Sequence, residues 1–255
     1  MRKFVLEHNC IHSLRLFKGC FNVNYFKTFF WNFSIVSIPK GMLLFVVTLF
    51  LMMDGTGYSL GNLSVLEHNK VVDQNGFIHI FGEIRNNSNE TQRSITAHAN
   101  FYDKNGNNIG NGSGIVSLRS LNIEEMSPFE IVFLDKNRNN QFFNYTLNFT
   151  SKAGMKKADD LIVTLLKSRP DIFGYYYVSG RISNMGNDTA TNVLAIASFF
   201  DNNGKMIGLS SAIAEPSNMT SHSTSSFTVV MDDKLHSSRI KNYSLIVDSD
   251  QYTFR

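Results

Sequence analysis

Residues 77–110 read FIHIFGEIRNNSNETQRSITAHANFYDKNGNNIG, and residues 175–208 read YYYVSGRISNMGNDTATNVLAIASFFDNNGKMIG. The two stretches lie 98 residues apart and align without a gap, with 13 identities in 34 positions. The same offset continues beyond them, because Phe129 matches Phe227 and Tyr145 matches Tyr243. A duplication of this length predicts two copies of one domain, at residues 62–152 and 160–255, each long enough for its own core.

Each copy alternates apolar and polar residues with the period of two that a half-buried strand requires. The inward positions of two successive strands in the first copy are Ile78, Ile80, Gly82 and Ile84, then Ile95, Ala97, Ala99 and Phe101. Glycine at position 82, and at 180 in the second copy, is expected to admit a large side chain from the opposite sheet. The pattern predicts an all-β fold: two tandem immunoglobulin-like antiparallel β-sandwich domains.

Asp-x-Asn-Gly occurs at residues 103–106 and again at residues 201–204. Asn and Gly tolerate positive φ, so this sequence between two strands predicts a hairpin turn. The same residues resemble a fragment of a calcium-binding loop. Calcium takes six to eight oxygen ligands, and no neighbouring acidic residue completes such a set. We therefore interpret both segments as turns.

The sequence before the repeats has a different character. Residues 42–53, MLLFVVTLFLMM, are uncharged and too few to span a bilayer as a helix, which takes about 20 residues. They are typical of a signal-peptide core, with Gly55 and Gly57 placed for cleavage before Tyr58. We divide this part into a basic region at 1–41, cytoplasmic or disordered, and a signal peptide or short membrane anchor at 42–57. Cleavage, an uncleaved anchor and a later translation start are open alternatives.

Charge also separates the N-terminus from the repeats. The chain has a formal net charge of +3. Residues 1–53 hold six basic residues and one acidic residue, a net of +5, so residues 54–255 sum to −2. A nucleic-acid-binding domain needs a basic face, and none is expected here. The positive-inside rule puts the repeats outside the cell. The prediction is an exported protein, at the cell surface or released, that contacts the membrane through its N-terminal segment only.

Four N-x-S/T triplets occupy matched positions in the two copies. Asn89 pairs with Asn187, and Asn144 pairs with Asn242. In an exported protein such triplets are acceptors for glycosylation. Asn is also a common turn residue, so a structural role is the alternative. We predict these four as glycosylation sites.

The sequence predicts no catalytic residue, no cofactor and no metal site. Cys10 and Cys20 both precede the repeats, so the repeats have no thiol for catalysis or metal binding. His79 and His98 are the two histidines expected to approach each other, on the outward faces of adjacent strands. They lack a third ligand. The chain is expected not to be an enzyme.

Four aromatic residues fall on outward positions of their strands: Phe77, Phe81, Tyr175 and Tyr177. They form a surface for an unknown protein or glycan partner at the cell envelope, or they pack in the contact between the two domains or under a neighbouring loop. The linker at residues 151–160, SKAGMKKADD, is polar and charged. Such a composition predicts some movement of one domain relative to the other.

Two short motifs connect the repeats to a known family. G-x-I-x-N stands at residues 82–86 and 180–184, and A-x-F-[YF]-D-x-x-G at residues 99–106 and 197–204. This arrangement resembles the FxLYD family of small extracytoplasmic β-sandwich domains. The match departs from the family pattern at its Phe position, here Ala99 or Ala197, and at its Leu position, here Phe101 or Phe199. The Tyr of the pattern is kept as Tyr102 and replaced by Phe200 in the second copy.

The resemblance implies a β-sandwich fold and a location outside the cytoplasm, and it brings no catalytic residues. Together with the export signal it predicts a non-enzymatic binding or structural module. A membrane-anchored accessory subunit of an envelope complex is the alternative.

Overall fold

The computed structural model describes residues 4–5, 59–60 and 63–250. The predicted signal or anchor segment at 42–57 and nearly all of residues 1–41 lie outside the described residues. None of the helices in the described part is both long enough and apolar enough to span a bilayer. The first described element is a two-residue strand, β1 (Phe4–Val5). The rest of the described chain is almost entirely antiparallel β-structure, which confirms the predicted all-β class.

Repeat 1 is built from strands β2 to β9. They are β2 (Ser59–Leu60), β3 (Leu63–Val72), β4 (Ile78–Asn86), β5 (Gln92–Tyr102), β6 (Asn108–Ile115), β7 (Ser120–Leu121), β8 (Met126–Phe133) and β9 (Asn144–Ala153). One sheet has the order β2-β3-β4-β8. In the other sheet β5 lies between β6 and β9 and also pairs with β7. A short 3-10 turn (Lys136–Arg138) follows β8.

Repeat 2 has the same topology. Its strands are β10 (Leu161–Pro170), β11 (Tyr176–Asn184), β12 (Leu194–Phe200), β13 (Met206–Ile213), β14 (Thr224–Met231) and β15 (Asn242–Asp248), with helix α1 (Lys234–Ser237) after β14. One sheet has the order β10-β11-β14, and in the other β12 lies between β13 and β15. β1 pairs with the free edge of β15. The bounds of β10, β11, β13 and β14 are those of β3, β4, β6 and β8 moved by 98 residues.

The inward positions predicted from the alternation are confirmed. Ile95, Ala97, Ala99 and Phe101 are buried in repeat 1, and so are their counterparts in repeat 2. The expectation for Gly82 is wrong in one respect. The ring above it belongs to Phe129, its direct partner on the neighbouring strand β8, and not to a residue of the opposite sheet. A glycine opposite a large aromatic residue lets the ring lie over the strand, which explains the repeated Gly–Phe pair.

The two Asp-x-Asn-Gly segments form the predicted hairpins, β5–β6 and β12–β13. Asp103 Oδ1 accepts the backbone N–H groups of Asn105 and Asn107, and Asp201 Oδ1 accepts the equivalent pair in repeat 2. Gly106 and Gly204 have φ of +80° and +73°, in the region that favours glycine. The carboxylate therefore satisfies the donors of its own turn.

The two repeats belong to one compact unit and pack against each other. Ile196, on the outward face of β12, is 2% exposed because it joins the core cluster of repeat 1. Val71 and Phe81 of repeat 1 form a further apolar cluster with Met206 and Ile207 of repeat 2. These contacts exclude water from part of the outer faces of both sandwiches.

The linker is held against both repeats. Lys157 is buried and forms an ion pair with Asp248 at the end of β15. Its backbone N–H donates to Asn122 Oδ1 of repeat 1. These contacts oppose the movement of the repeats that the polar composition of the linker predicts. Composition alone does not show that a lysine in the segment has a buried carboxylate as its partner.

Candidate functional site

A cleft of about 240 Å³ lies between the repeats. Its repeat 1 wall is the outer face of β3, β4 and β8 with the hairpin that joins β3 to β4. Its repeat 2 wall is formed by β13 and the residues that follow β14. Apolar side chains line its base: Val71, Phe81, Ile207, Leu209 and Met231. Carboxylates line both walls: Asp73 and Glu130 from repeat 1, Asp232 and Asp233 from repeat 2.

His79 occupies the repeat 1 wall between two carboxylates. Its Nδ1 lies 2.6 Å from Glu130 Oε1, a hydrogen bond, and its Nε2 lies 3.4 Å from Asp73 Oδ2. Its ring stacks on Phe81, with the centroids 5.6 Å apart. Burial alone would lower the pKa of His79, but the hydrogen bonds and negative charges of Glu130 and Asp73 raise it above the usual value. The two carboxylates therefore favour the protonated form of the imidazole over the neutral form.

Asp73 has two roles. Its Oδ1 accepts the backbone N–H groups of Asn75 and Phe77 and so closes the β3–β4 hairpin. Its Oδ2 faces His79. Burial would raise the pKa of Asp73, but the hydrogen bond from Phe77 N–H and the contact with His79 lower it. The turn thus keeps an ionised carboxylate at the edge of the cleft.

The repeat 2 wall adds two carboxylates in different environments. Asp233 caps α1 through the N–H of Leu235, and its Oδ2 lies 2.7 Å from His236 Nδ1. Asp232 is exposed. The cleft therefore presents more negative than positive charge, even with His79 protonated, and apolar side chains also line it. This combination suits a ligand with a cationic end and an aliphatic stem.

The four predicted surface aromatics do not form one exposed surface. Phe81 is 6% exposed and lies in the contact between the repeats, so it is not available to a partner. Phe77 is half-buried, with Lys136 Nζ 3.9 Å from its ring centroid. Tyr175 and Tyr177 lie edge to face in repeat 2, with their centroids 6.5 Å apart. The interdomain interpretation holds for Phe81, while Tyr175 and Tyr177 are half-buried and lie outside that apolar cluster.

The predicted approach of His79 and His98 is wrong. His79 is on β4, and His98 is on β5, which belongs to the other sheet of the sandwich. Their outward faces point away from each other. His98 Nε2 lies 3.3 Å from Thr150 Oγ1 on β9. Within the described residues no group of three His, Cys, Asp or Glu side chains could hold a metal ion.

The four predicted glycosylation sites differ in exposure. Asn89 and Asn187 are exposed in the turns that follow β4 and β11. Asn144 and Asn242 each begin the last strand of their repeat. Asn144 is exposed and Asn242 is half-buried. All four stay predictions.

Sequence reasoning missed the cleft, although part of its signal was present. Asp73 and Gly76 recur as Asp171 and Gly174 at the 98-residue offset, and Asp135 recurs as Asp233. These pairs mark hairpins and helix caps, and the cleft forms where repeat 1's hairpin meets repeat 2's cap. The position of this hairpin next to this cap depends on how the two repeats pack, and the pattern within one copy does not predict that packing.

No family model matches the chain, and no curated protein matches it. Among solved structures, the exo-chitosanase CsxA of Amycolatopsis orientalis is 11% identical, covering 76% of this chain and 26% of that chain, with a TM-score of 0.28. Red sea bream transglutaminase is 9% identical, covering 85% and 33%, with a TM-score of 0.25. In both cases this chain spans no more than about a third of the other protein. Similarity at these TM-scores assigns neither an activity nor a substrate to this chain.

Proposed function

We propose that this chain is a non-enzymatic binding module, exported to the cell surface or beyond it, whose two β-sandwich domains hold a cationic group of a partner in the cleft between them. The observation that carries the proposal is the cleft itself. Two acidic residues from each repeat line it, together with apolar residues. A lysine or arginine side chain of a protein, or an amino group on a glycan, has the matching chemistry.

The contacts around His79 favour binding over catalysis. Glu130 and Asp73 both face the imidazole, so the site already holds one cationic group between two carboxylates, which is the kind of contact proposed for the partner. The described residues that line the cleft include no serine, threonine, cysteine or lysine. This lining therefore offers no hydroxyl, thiol or amine nucleophile.

A peptide titration tests the site. We expect a short arginine-rich peptide to bind the full chain, and a glutamate-rich peptide of the same length not to bind. Glu130→Gln and Asp232→Asn should each weaken binding several-fold, because each removes one negative charge from the cleft. Glu90→Gln removes an exposed carboxylate from the β4–β5 turn and is the matched control. Equal binding by all variants would show that the peptide does not use the cleft.

The export proposal rests on the N-terminal sequence and on the resemblance to FxLYD domains. N-terminal sequencing of protein recovered from the medium and from the envelope tests it. A start at Tyr58 supports a released module. Retention of residues 42–57 supports the alternative, a membrane-anchored accessory subunit. Either outcome removes the pairing of β1 with β15 from the mature protein, because cleavage before Tyr58 removes Phe4 and an anchor would put the membrane between Phe4 and Leu245.

A further inference from the structure

The β10–β11 hairpin of repeat 2 ends in two exposed apolar residues. Ile172 is 93% exposed and Phe173 is 68% exposed. Leu235, in the adjacent helix α1, is 54% exposed. The hairpin and the helix touch, since a Cβ at Gly174 would lie 3.5 Å from Lys234 Cβ. Three exposed apolar side chains thus lie on two elements that touch, and we call this region the tip.

Repeat 1 shows that the fold does not need this tip. Its equivalent residues, at the 98-residue offset, are Gln74, Asn75 and Asn137. The hairpin backbone is nevertheless the same, with Gly76 at φ +82° and Gly174 at φ +89°. Where repeat 1 has three exposed amide side chains, repeat 2 therefore has three exposed apolar side chains. A requirement outside the hairpin explains this difference better than folding does.

Four of the five backbone N–H groups from Asp171 to Tyr175 are bonded within the turn, and that of Ile172 is the exception. Asp171 Oδ1 accepts the N–H groups of Phe173 and Tyr175. Asp171 O accepts the N–H of Gly174, and Asp171 N–H donates to Tyr175 O. Unsatisfied backbone donors are what normally keep a turn out of a hydrocarbon layer. These donors already have partners inside the turn.

Tyrosines and cations surround the base of the tip. Lys234 Nζ lies 4.7 Å from the ring centroid of Tyr175, and the guanidinium carbon of Arg169 lies 5.3 Å from that of Tyr177. Tyrosine favours the interfacial layer of a bilayer, and Lys and Arg favour its phosphates. Two of the nearby carboxylates, Asp171 and Asp233, accept hydrogen bonds from backbone N–H groups. Asp232 is exposed and lines the cleft.

We propose that the tip formed by Ile172, Phe173 and Leu235 inserts into a phospholipid surface, with Tyr175, Tyr177, Lys234 and Arg169 at the level of the headgroups. A convex two-residue turn favours this occupant, because a protein partner would have to supply a pocket for it. The proposal is independent of the cleft and of any anchor in residues 42–57. It places repeat 2 against the membrane through its own folded surface.

Fluorescence at the tip tests the proposal. The chain has one tryptophan, Trp31, so Phe173→Trp in a Trp31→Phe background gives a single reporter. We expect its emission to shift to shorter wavelength with vesicles of phosphatidylcholine and phosphatidylglycerol, and to be quenched by brominated acyl chains. The shift should be smaller with phosphatidylcholine alone, because Lys234 and Arg169 then meet no net negative charge.

A sedimentation assay on the full chain supplies the matched variants. Ile172→Gln with Phe173→Asn restores the tip of repeat 1, whose hairpin has the same backbone. Vesicle binding through the tip should fall at least about tenfold, since each buried apolar side chain contributes about that factor or more. Ile115→Gln removes an 81% exposed apolar residue elsewhere and should change little.

Three results would overturn the proposal. The emission of the Phe173→Trp reporter could stay unchanged on vesicles, even if the N-terminal segment binds them. It could already be shifted without lipid, which would mean that another part of the chain covers the tip. The third result combines both assays: the emission shifts equally in Lys234→Glu and wild-type backgrounds, and the tip variant sediments with vesicles as wild type does. The tip would then bind a protein partner or nothing, and not the lipid.

Discussion

Asn86 and Asn184, 98 residues apart in sequence, make the same hydrogen bonds in their two sandwiches. The Nδ2 of Asn86 lies 2.8–3.2 Å from the carbonyl oxygens of Glu90, Leu121 and Asn122. The Nδ2 of Asn184 lies 2.8–3.2 Å from those of Asp188, Met219 and Thr220. Both side chains are fully buried. Each amide ties the end of a core strand to two separate turns.

Replacing either asparagine by alanine should destabilise its sandwich. The change leaves buried carbonyl groups without a donor, and we expect the free energy of unfolding to fall by about 2–4 kcal/mol. Denaturant unfolding measures it. Asn87→Ala is the control, because Asn87 is exposed and bonds only Ser64 Oγ among the described contacts. A loss below about 0.5 kcal/mol at Asn86 would contradict this role.

The two glycines that face phenylalanine rings should differ in tolerance. A Cβ at Gly82 would lie 2.6 Å from Glu67 O and from Phe129 Cζ, whereas at Gly180 the nearest atoms of Phe227 are 3.0 Å away. We expect Gly82→Ala to cost about 2–3 kcal/mol of stability and Gly180→Ala about 1 kcal/mol. Thermal unfolding of the two variants gives the comparison. Equal costs would show that the strand of repeat 1 shifts to make room.

His79 should make stability depend on pH. Its folded-state pKa is raised above 6.5, so protonated His79 stabilises the fold below pH 6.5. This stabilisation disappears as the pH rises through the folded-state pKa. The free energy of unfolding of wild type, relative to His79→Gln, should therefore decrease from pH 6.5 upward. Titration of the His79 ring protons by NMR checks the pKa directly, and Glu130→Gln should lower it.

Loss of one partner of the buried ion pair between Lys157 and Asp248 should reduce stability more than loss of both partners. Asp248 is 1% exposed, and Arg119 of repeat 1 also approaches it, with Nε 3.9 Å from Oδ2. Lys157→Met alone leaves this carboxylate without its nearest cation, and we expect a cost of about 3–5 kcal/mol. Lys157→Met with Asp248→Leu should recover most of that cost. A double-mutant cycle in denaturant measures the coupling energy, and additive costs would rule out a direct interaction.

Ile196 should have opposite effects in the whole chain and in a fragment. Repeat 1 has His98 at this position, on an outward face. In the intact chain Ile196→His places a polar ring in the contact between the repeats and should cost about 2 kcal/mol or more. In residues 160–255 expressed alone, the same change removes an exposed apolar side chain and should increase solubility. We expect fragments 62–152 and 160–255 each to fold, with a lower Tm than the joined repeats.

The sequence predicts the part of the structure that the two copies share. Alternation identified the inward faces because a sheet with one face in a core requires it, and Asp-x-Asn-Gly identified the hairpins because their backbone needs positive φ. Much of the contact between the repeats lies instead at positions where the copies differ. Phe81 is matched with Ser179 in the alignment, and His98 with Ile196. A search for identical residues in the two copies does not find these positions. An apolar residue in one copy at an outward position that is polar in the other copy is nevertheless a signal of burial.

The side-chain contacts in the cleft could not be predicted in the same way. His79 meets Glu130 because β4 and β8 are neighbours in one sheet, and it meets Asp73 because the hairpin turns back over that sheet. Both contacts depend on strand order, which sequence patterns do not give. The carboxylates of repeat 2 join them only through the packing of the two domains.

The Asp–Gly hairpins have a consequence for how the two copies could diverge. In each hairpin the aspartate and the glycine fix the main chain, so the two residues between them contribute little to folding. Gln74 of the first copy accepts a hydrogen bond from Lys234 N–H, while Ile172 of the second copy projects into solvent. After the duplication, the hairpin of the first copy could thus keep its hydrogen bond to the other repeat, while the hairpin of the second copy gained an exposed apolar residue. Neither change would prevent its hairpin from folding.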